Sequence, residues 1–262
     1  MNSSPTDLVV FGVGQLGQLF AGGALRLGVR VTPITRSTDR PAVWSALPPD
    51  TPILIAVREA DLADAIADVP EARRGDLILV QNELFEPLWT DLGAEDPTVV
   101  VFWTNKKPRV PLLIGRRTAL HGRHADFMAA VHAQLDILAE VLSEPEARDD
   151  ELVAKYAFIL TINALGLIED TTVGAWLEKD RERVTAVLDD AIQLGERYAG
   201  RACRRERALA GALAGMTGMG SLKAKGRSAP SRLRRALSDA EEAGLELPAL
   251  TAIHHELEEG DS

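Results

Sequence analysis

The chain has 262 residues, 46% of them hydrophobic, with a single cysteine and a formal net charge of −10. One cysteine excludes an intramolecular disulfide framework, and the acidic balance argues against general nucleic-acid binding. The length allows two domains, or one large α/β domain with a helical extension. No run of about 18 apolar residues stands out, so no membrane-spanning helix is expected, and the opening MNSSPTD lacks the features of a signal peptide. A cytoplasmic protein with neither nucleic-acid nor membrane partners is the expectation.

Residues 8–11 form a short apolar run, predicted as a buried parallel strand. Gly12-Val13-Gly14-Gln15-Leu16-Gly17 then fits G-x-G-x-x-G. A helical pattern follows through Leu19, Phe20, Ala24 and Leu27, with Gly28 as its stop, and residues 29–34 read as a second strand. In this strand–turn–helix–strand context Gly12 permits the tight turn, Gly14 lets a pyrophosphate approach, and Gly17 lets helix and strand pack closely. The helix start at Gln15 and Leu16 then offers free N–H groups and a favourable dipole to phosphate. The competing reading is a glycine-rich turn in an ordinary βαβ unit.

The end of the second strand bears on which dinucleotide is held. Thr35-Arg36-Ser37-Thr38 carries no carboxylate before Asp39, which is predicted to lie past the ribose. Arg36 offers charge and a planar donor fork suited to a 2′-phosphate, and the neighbouring hydroxyls can add hydrogen bonds. NADPH is therefore expected over NADH, although Arg36 alone also reads as a solvated loop arginine.

Further strands are predicted at 52–57, 76–81, 98–103 and 110–114, with helical segments at 59–69 and 84–92 between them. This alternation implies a parallel sheet covered on both faces. A helix is predicted at 123–133 and a further strand or extended segment at 135–142. The polar stretch SEPEARDD, 143–150, reads as a linker. Helices are predicted beyond it at 151–168, 174–200, 201–213 and 231–243, with a glycine-rich basic loop at 215–230 and a frayed tail after Ile253.

At this point the chain resembles the ketopantoate reductases, NADPH-dependent 2-oxoacid reductases. FGVGQLGQLF with Arg36 is similar to the family's glycine loop and 2′-phosphate arginine. ILIAVRE places Arg58 where the family often has a phosphate-contacting lysine. LILVQNEL puts Asn82 where the family has an asparagine near the nicotinamide. LVAKYAFILTINALG puts Lys155 at the place of the catalytic lysine and Asn163 at that of a substrate-binding asparagine. TTVGAWLEKDRE looks like the family's turn between the first two helices of its second domain. The resemblance implies an α/β fold, with a Rossmann-like, doubly wound parallel sheet in residues 1–146 and an all-helical domain in 147–262. It also implies hydride transfer to the carbonyl of ketopantoate or a related small compound.

The residues themselves agree for the last motif. Lys155 and Asn163 stand about two turns apart in an apolar helix, where an unpaired polar group is costly. A lysine snorkelling at the helix start, with Asn163 bonded to backbone, is the competing reading.

Departures from the family pattern accompany the match. Ile159 stands where the family has another asparagine, and Glu83 where it has glycine. KGRSAPSR replaces the segment bearing its late glutamate, and no Asp or Glu occurs from 207 to 238. A more apolar pocket and a cationic loop, through Lys223, Lys225 and Arg227 with Arg232, Arg234 and Arg235 behind, imply a changed carbonyl substrate. The basic stretch reads equally as an offset to acidic surface elsewhere. Lys106 or Lys107, after the fifth strand, could bind a substrate carboxylate or form a solvated turn.

His121 and His124, and the pair His254-His255, lack a third ligand nearby in sequence, so no metal is expected. Cys203 in RACRRER reads as a small apolar filler rather than a reactive thiol. Three functions stay open: a carbonyl reductase, a dehydrogenase for an imine or hydroxy acid on the same scaffold, and an NADP-binding protein with a decayed substrate site. The helical domain leaves room for a homodimer.

Overall fold

A computed structural model of the chain describes residues 5–106, 109–226 and 228–260. It divides into two compact units, Met1–Arg148 and Asp149–Ser262.

The first unit begins with β1 (Asp7–Phe11), α1 (Gln15–Arg26) and β2 (Arg30–Ile34). It continues through α2 (Arg40–Ala46), β3 (Ile53–Ile55), α3 (Leu62–Asp68), β4 (Leu77–Leu79), α4 (Glu86–Asp91) and β5 (Thr98–Val101). A small hairpin, β6 (Thr104–Asn105) and β7 (Leu113–Ile114), precedes β8 (Thr118–His121), α5 (Ala125–Ala133) and β9 (Ala139–Val141). The main sheet has the order β2-β1-β3-β4-β5-β8-β9. β2 to β5 run parallel; β8 is antiparallel to β5, and β9 is parallel to β8. The chain reverses its direction of travel across the sheet at β1, with β2 on one side and β3 on the other. That switch point opens a crevice at the strands' carboxyl ends.

β1, β3, β4 and β5 are buried along their whole length, as strands covered on both faces must be. One face packs Leu8, Val10, Leu54, Ile78 and Val100 against Phe20 and Ala24 of α1 and Met128 and Val131 of α5. Each such buried aliphatic side chain contributes roughly 1.5–3 kcal/mol. Phe20, Phe102 and His132 form an aromatic cluster with ring centroids 5.0 to 5.6 Å apart. Burial pushes His132 below its usual range, and its Nδ1 pairs with the Met128 carbonyl. Pro33 is tolerated in β2 because β2 is an edge strand.

Three expectations for this unit are corrected. The strand predicted at 110–114 is the two-residue β7, which pairs with β6 outside the main sheet. β8 joins that sheet without having been predicted, since TALH is too short to show a period. The polar stretch 143–150, read as a linker, contains the boundary between the units, but it is helical from Pro145, as the start of α6 (Pro145–Ile168), with proline in the first turn, where its missing N–H costs nothing.

The second unit consists of the rest of α6 with α7 (Val173–Lys179), α8 (Arg181–Ala199), α9 (Arg205–Gly218), α10 (Ala229–Ala243) and α11 (Pro248–Gly260). The helix predicted at 174–200 breaks at Asp180, whose side chain accepts the Arg183 N–H and caps α8. α9 runs into the predicted loop, and the predicted frayed tail is helical through α11. The N-terminus of α11 is capped from a distance. Buried Asp190 of α8 accepts the Leu250 N–H at 2.9 Å. By length and composition α6 could cross a membrane, contrary to the sequence expectation, but 89% of its apolar window is buried within the protein.

Candidate functional site

The glycine loop follows directly from β1. Gly12 has φ +94°, a left-handed conformation, and a Cβ there would meet the Ala56 carbonyl oxygen at 2.8 Å. A Cβ on Gly17 would lie 2.0 Å from the Gly12 oxygen, so this glycine sets how closely α1 approaches the turn. Gly14 is different. It is exposed, its Cβ would touch nothing within 4 Å, and it is the N-cap of α1 without any side-chain cap. The N–H groups at Gln15, Leu16 and Gly17 begin the helix, where no intrahelical acceptor exists. The result is an open cradle of donors at a positive helix end, which fits a pyrophosphate.

Arg36 lies in the turn after β2, two residues past Ile34, and is exposed. The turn is held by hydroxyls: the Thr35 N–H donates to Thr38 Oγ1 at 2.9 Å, and Thr35 Oγ1 lies 3.2 Å from Ser37 Oγ. The Asp39 side chain accepts the Ala42 N–H as the cap of α2. Arg58 follows β3, on the opposite side of β1. Its guanidinium grips Asp61 with two bonds, Nε to Oδ2 at 2.7 Å and Nη2 to Oδ1 at 3.0 Å. Arg58, with Arg36 adding a smaller effect, holds the Asp61 carboxyl below its usual range. Nothing in the sequence pattern singled out Asp61; its three-residue spacing from Arg58 was the available signal.

Asn82 is exposed in the bend after β4. Glu83 beside it adopts φ +55°, the conformation that the family's glycine suits. The bend is anchored by Gln81, another residue that sequence reasoning passed over. Its side chain accepts the Val80 N–H and donates to the Ile55 and Val57 carbonyls, tying the end of β4 to the end of β3. Lys106 lies in the β6–β7 hairpin and donates to the Val110 carbonyl at 2.9 Å. Lys107 and Arg227 lie outside the described residues. Gly12, Gly14, Gly17, Arg36, Arg58 and Asn82 thus stand together at the carboxyl ends of β1 to β4.

A cavity of about 600 Å³ opens elsewhere in this unit, lined by Asp7, Thr51, Arg123, His124 and Phe127. It faces the amino ends of the strands, away from the glycine loop. His124 there is 3.5 Å from Asp76, and burial pushes its pKa down.

In the second unit, Lys155 and Asn163 are both buried on α6, with Ile159 between them. Lys155 Nζ lies 6.0 Å from the Phe158 ring centroid, a cation–π contact at the limit of range. Asn163 matches the competing expectation: its Nδ2 donates to the Ile159 carbonyl at 2.6 Å, and its Oδ1 accepts the Gly226 N–H at 3.1 Å. The amide therefore fastens the basic loop to α6. The same loop lies so close to Gly166 that a Cβ there would meet the Ala224 oxygen at 2.4 Å. Backbone bonds from Val173 to Leu222, Gly174 to Gly220, and Ala224 to Thr171 complete its attachment. Lys223 pairs with Asp170 at 3.2 Å, and Lys225 is exposed. Cys203 is no activated thiol, because burial and Glu196 push it up to about 12.

No family model matches the sequence, and no curated protein matches it. Solved structures do match in fold. One is 2-dehydropantoate 2-reductase from Methylococcus capsulatus, at 13% identity and TM-score 0.67 over 97% of this chain and 96% of that one. Another is a D-mandelate dehydrogenase with NADH and anilino(oxo)acetate, at 10% identity and TM-score 0.66 over 96% and 97%. A third is the dimeric ketopantoate reductase from Staphylococcus aureus, at 16% identity and TM-score 0.62 over 96% and 97%. The chain shares the fold of these proteins along nearly its whole length.

Proposed function

We propose that this chain is an oxidoreductase that uses NADPH to reduce the carbonyl of a 2-oxoacid. The observation that carries the reading is the open donor cradle at Gly14, with Arg36 beyond the neighbouring strand and Asp39 engaged in capping a helix. Gly12, Gly14, Gln15, Leu16 and Gly17 would hold the pyrophosphate, Arg36 and Arg58 the 2′-phosphate, and Asn82 the nicotinamide end. A neighbour solved with NADH shares this fold, and it is the two arginines that favour NADPH here.

When bound, the reduced nicotinamide supplies the hydride. Lys155 holds a proton on its ammonium, stabilises the oxygen as it gains charge and then protonates it. Asn163 acts by positioning the basic loop, and its second N–H remains a donor for substrate. Ile159 and the lack of a late carboxylate favour a 2-oxoacid with an apolar side chain over one bearing a hydroxyl. The mandelate dehydrogenase neighbour, with its aromatic oxo ligand, supports that direction. Lys106 is the candidate for the substrate carboxylate. A homodimer is the assembly we propose, in keeping with the dimeric Staphylococcus aureus neighbour, and the cytoplasm the compartment.

A binder with a decayed substrate site is the second reading, favoured by the engagement of the Asn163 amide with main chain. The test follows NADPH oxidation with ketopantoate and with an aromatic 2-oxoacid, in parallel with NADPH binding by titration. Lys155→Ala should lower turnover by about 10²–10⁴-fold and leave NADPH affinity in place. Normal turnover in that variant would sink the assignment of Lys155. Tight NADPH binding with no turnover on any carbonyl compound would favour the binder.

A further inference from the structure

Asp61 has no part in the reading above, yet it is paired with Arg58, one arm of the proposed phosphate clamp. It closes the short 3-10 turn Glu59–Asp61 after β3. Both of its oxygens accept from Arg58, at 2.7 and 3.0 Å, and the Arg36 charge adds a smaller stabilisation of the carboxylate. This two-point grip is the geometry with which a guanidinium also holds a phosphate. Asp61 therefore covers the donor edge of Arg58 that a 2′-phosphate would use. Its own negative charge lies beside the place where that dianion would bind.

The pair is exchangeable. The Arg58 and Asp61 side chains are 76% and 45% exposed, and an ion pair in that setting is screened and weak. A phosphate can displace the carboxylate from Arg58 without disturbing the fold. The carboxylate cannot withdraw far, because it lies only three positions from Arg58 in a tight turn. Its repulsion persists after displacement.

We infer that Asp61 is a specificity-determining acid, which competes with the 2′-phosphate for Arg58 and so holds down the preference for NADPH over NADH. The inference rests on the reading of Arg36 and Arg58 as the 2′-phosphate clamp. A cofactor without that phosphate leaves the Arg58–Asp61 pair intact. The acid thus acts on one cofactor and spares the other, which separates it from a general effect on the fold.

The experiment measures dissociation constants for NADPH and NADH by calorimetric titration of the full chain, as wild type, Asp61→Asn and Arg36→Ala. Asp61→Asn should tighten NADPH at least about fivefold, the effect of removing one unit charge about 4 Å from another in water, and leave NADH unchanged. Unchanged or weakened NADPH binding in Asp61→Asn overturns the inference. So does a marked loss of NADH affinity, which would make Asp61 an acceptor for the ribose hydroxyl. Arg36→Ala separates the two levels. If it weakens NADPH selectively while Asp61→Asn changes nothing, the inference fails and the cofactor reading stands. If neither substitution moves NADPH, both fail.

Discussion

Gly14 and Gly17 stand three residues apart in one loop, and the structure assigns them opposite sensitivities to the same methyl group. An alanine side chain at 17 would place its Cβ 2.0 Å from the Gly12 oxygen. Ordinary carbon–oxygen contact needs more than 3 Å, so α1 would have to shift by over 1 Å. Overpacking of this kind costs about 1–3 kcal/mol. At Gly14 the added Cβ meets nothing within 4 Å, and φ −75° with ψ −162° suits alanine. The smaller unfolded-state entropy of alanine stabilises by about 0.4–1 kcal/mol, while the poorer N-cap costs some tenths, so the two nearly cancel. Binding is another matter, because the methyl would occupy the approach of the pyrophosphate. Loss of one N–H bond to phosphate, about 1.5–3 kcal/mol, raises Kd by roughly 10- to 150-fold. Thermal melting of the ligand-free protein and NADPH titration would separate the two. Gly14→Ala should melt as wild type and bind poorly, and Gly17→Ala should melt early. Wild-type affinity in Gly14→Ala would refute the cradle, and wild-type melting in Gly17→Ala would refute the close packing of α1 on its turn.

Asp190→Ala should destabilise the helical unit by about 1–3 kcal/mol in urea unfolding, through the orphaned N–H groups at the start of α11. Burial holds the Asp190 carboxyl above its usual range, so its ionisation opposes folding. Its contribution is greatest below the ordinary carboxylate pKa and declines as pH rises through the raised one; Asp190→Asn should flatten that segment of the stability curve. Cys203 should alkylate slowly at pH 8. A thiol pushed up to about 12 from about 9 has ~1,000-fold less thiolate, and its greater nucleophilicity recovers about half of that exponent, leaving a rate ~30-fold below an ordinary cysteine. A rate equal to that of the unfolded chain would contradict the burial seen here.

The strands at the sheet centre were legible because they are short apolar runs punctuated by glycine and proline, and the glycine loop because steric constraints at Gly12 and Gly17 fix its spacing. Charge misled the reading where it was buried. Arg148, Asp149 and Asp150 read as a solvated linker, yet each is buried. Arg148 reaches Glu86 at 2.5 Å and lies over the Trp89 ring, Asp149 pairs with Arg201, and Asp150 accepts from Arg204 Nε at 2.6 Å. Those partners lie some 50 to 60 residues away and have no local signal. Asn163 was legible as important in an apolar helix, but its bond to Gly226 depends on a loop 63 residues on. The Arg58–Asp61 grip was local and could have been seen, had the turn after β3 been read for charge as closely as the turn after β2.

Between Gly220 and Gly226 the basic loop after α9 is attached through the main-chain atoms of Gly220, Leu222, Ala224 and Gly226, with the Lys223–Asp170 pair added at its surface. Those main-chain bonds, with buried Ala224, set its path. Positions 221, 223 and 225 project from this scaffold and are exposed, so their identities can be exchanged without a new fold having to be found. For an engineer, they form a compact set for combinatorial randomisation, in which variants differ in the charge and shape they present and inherit one backbone.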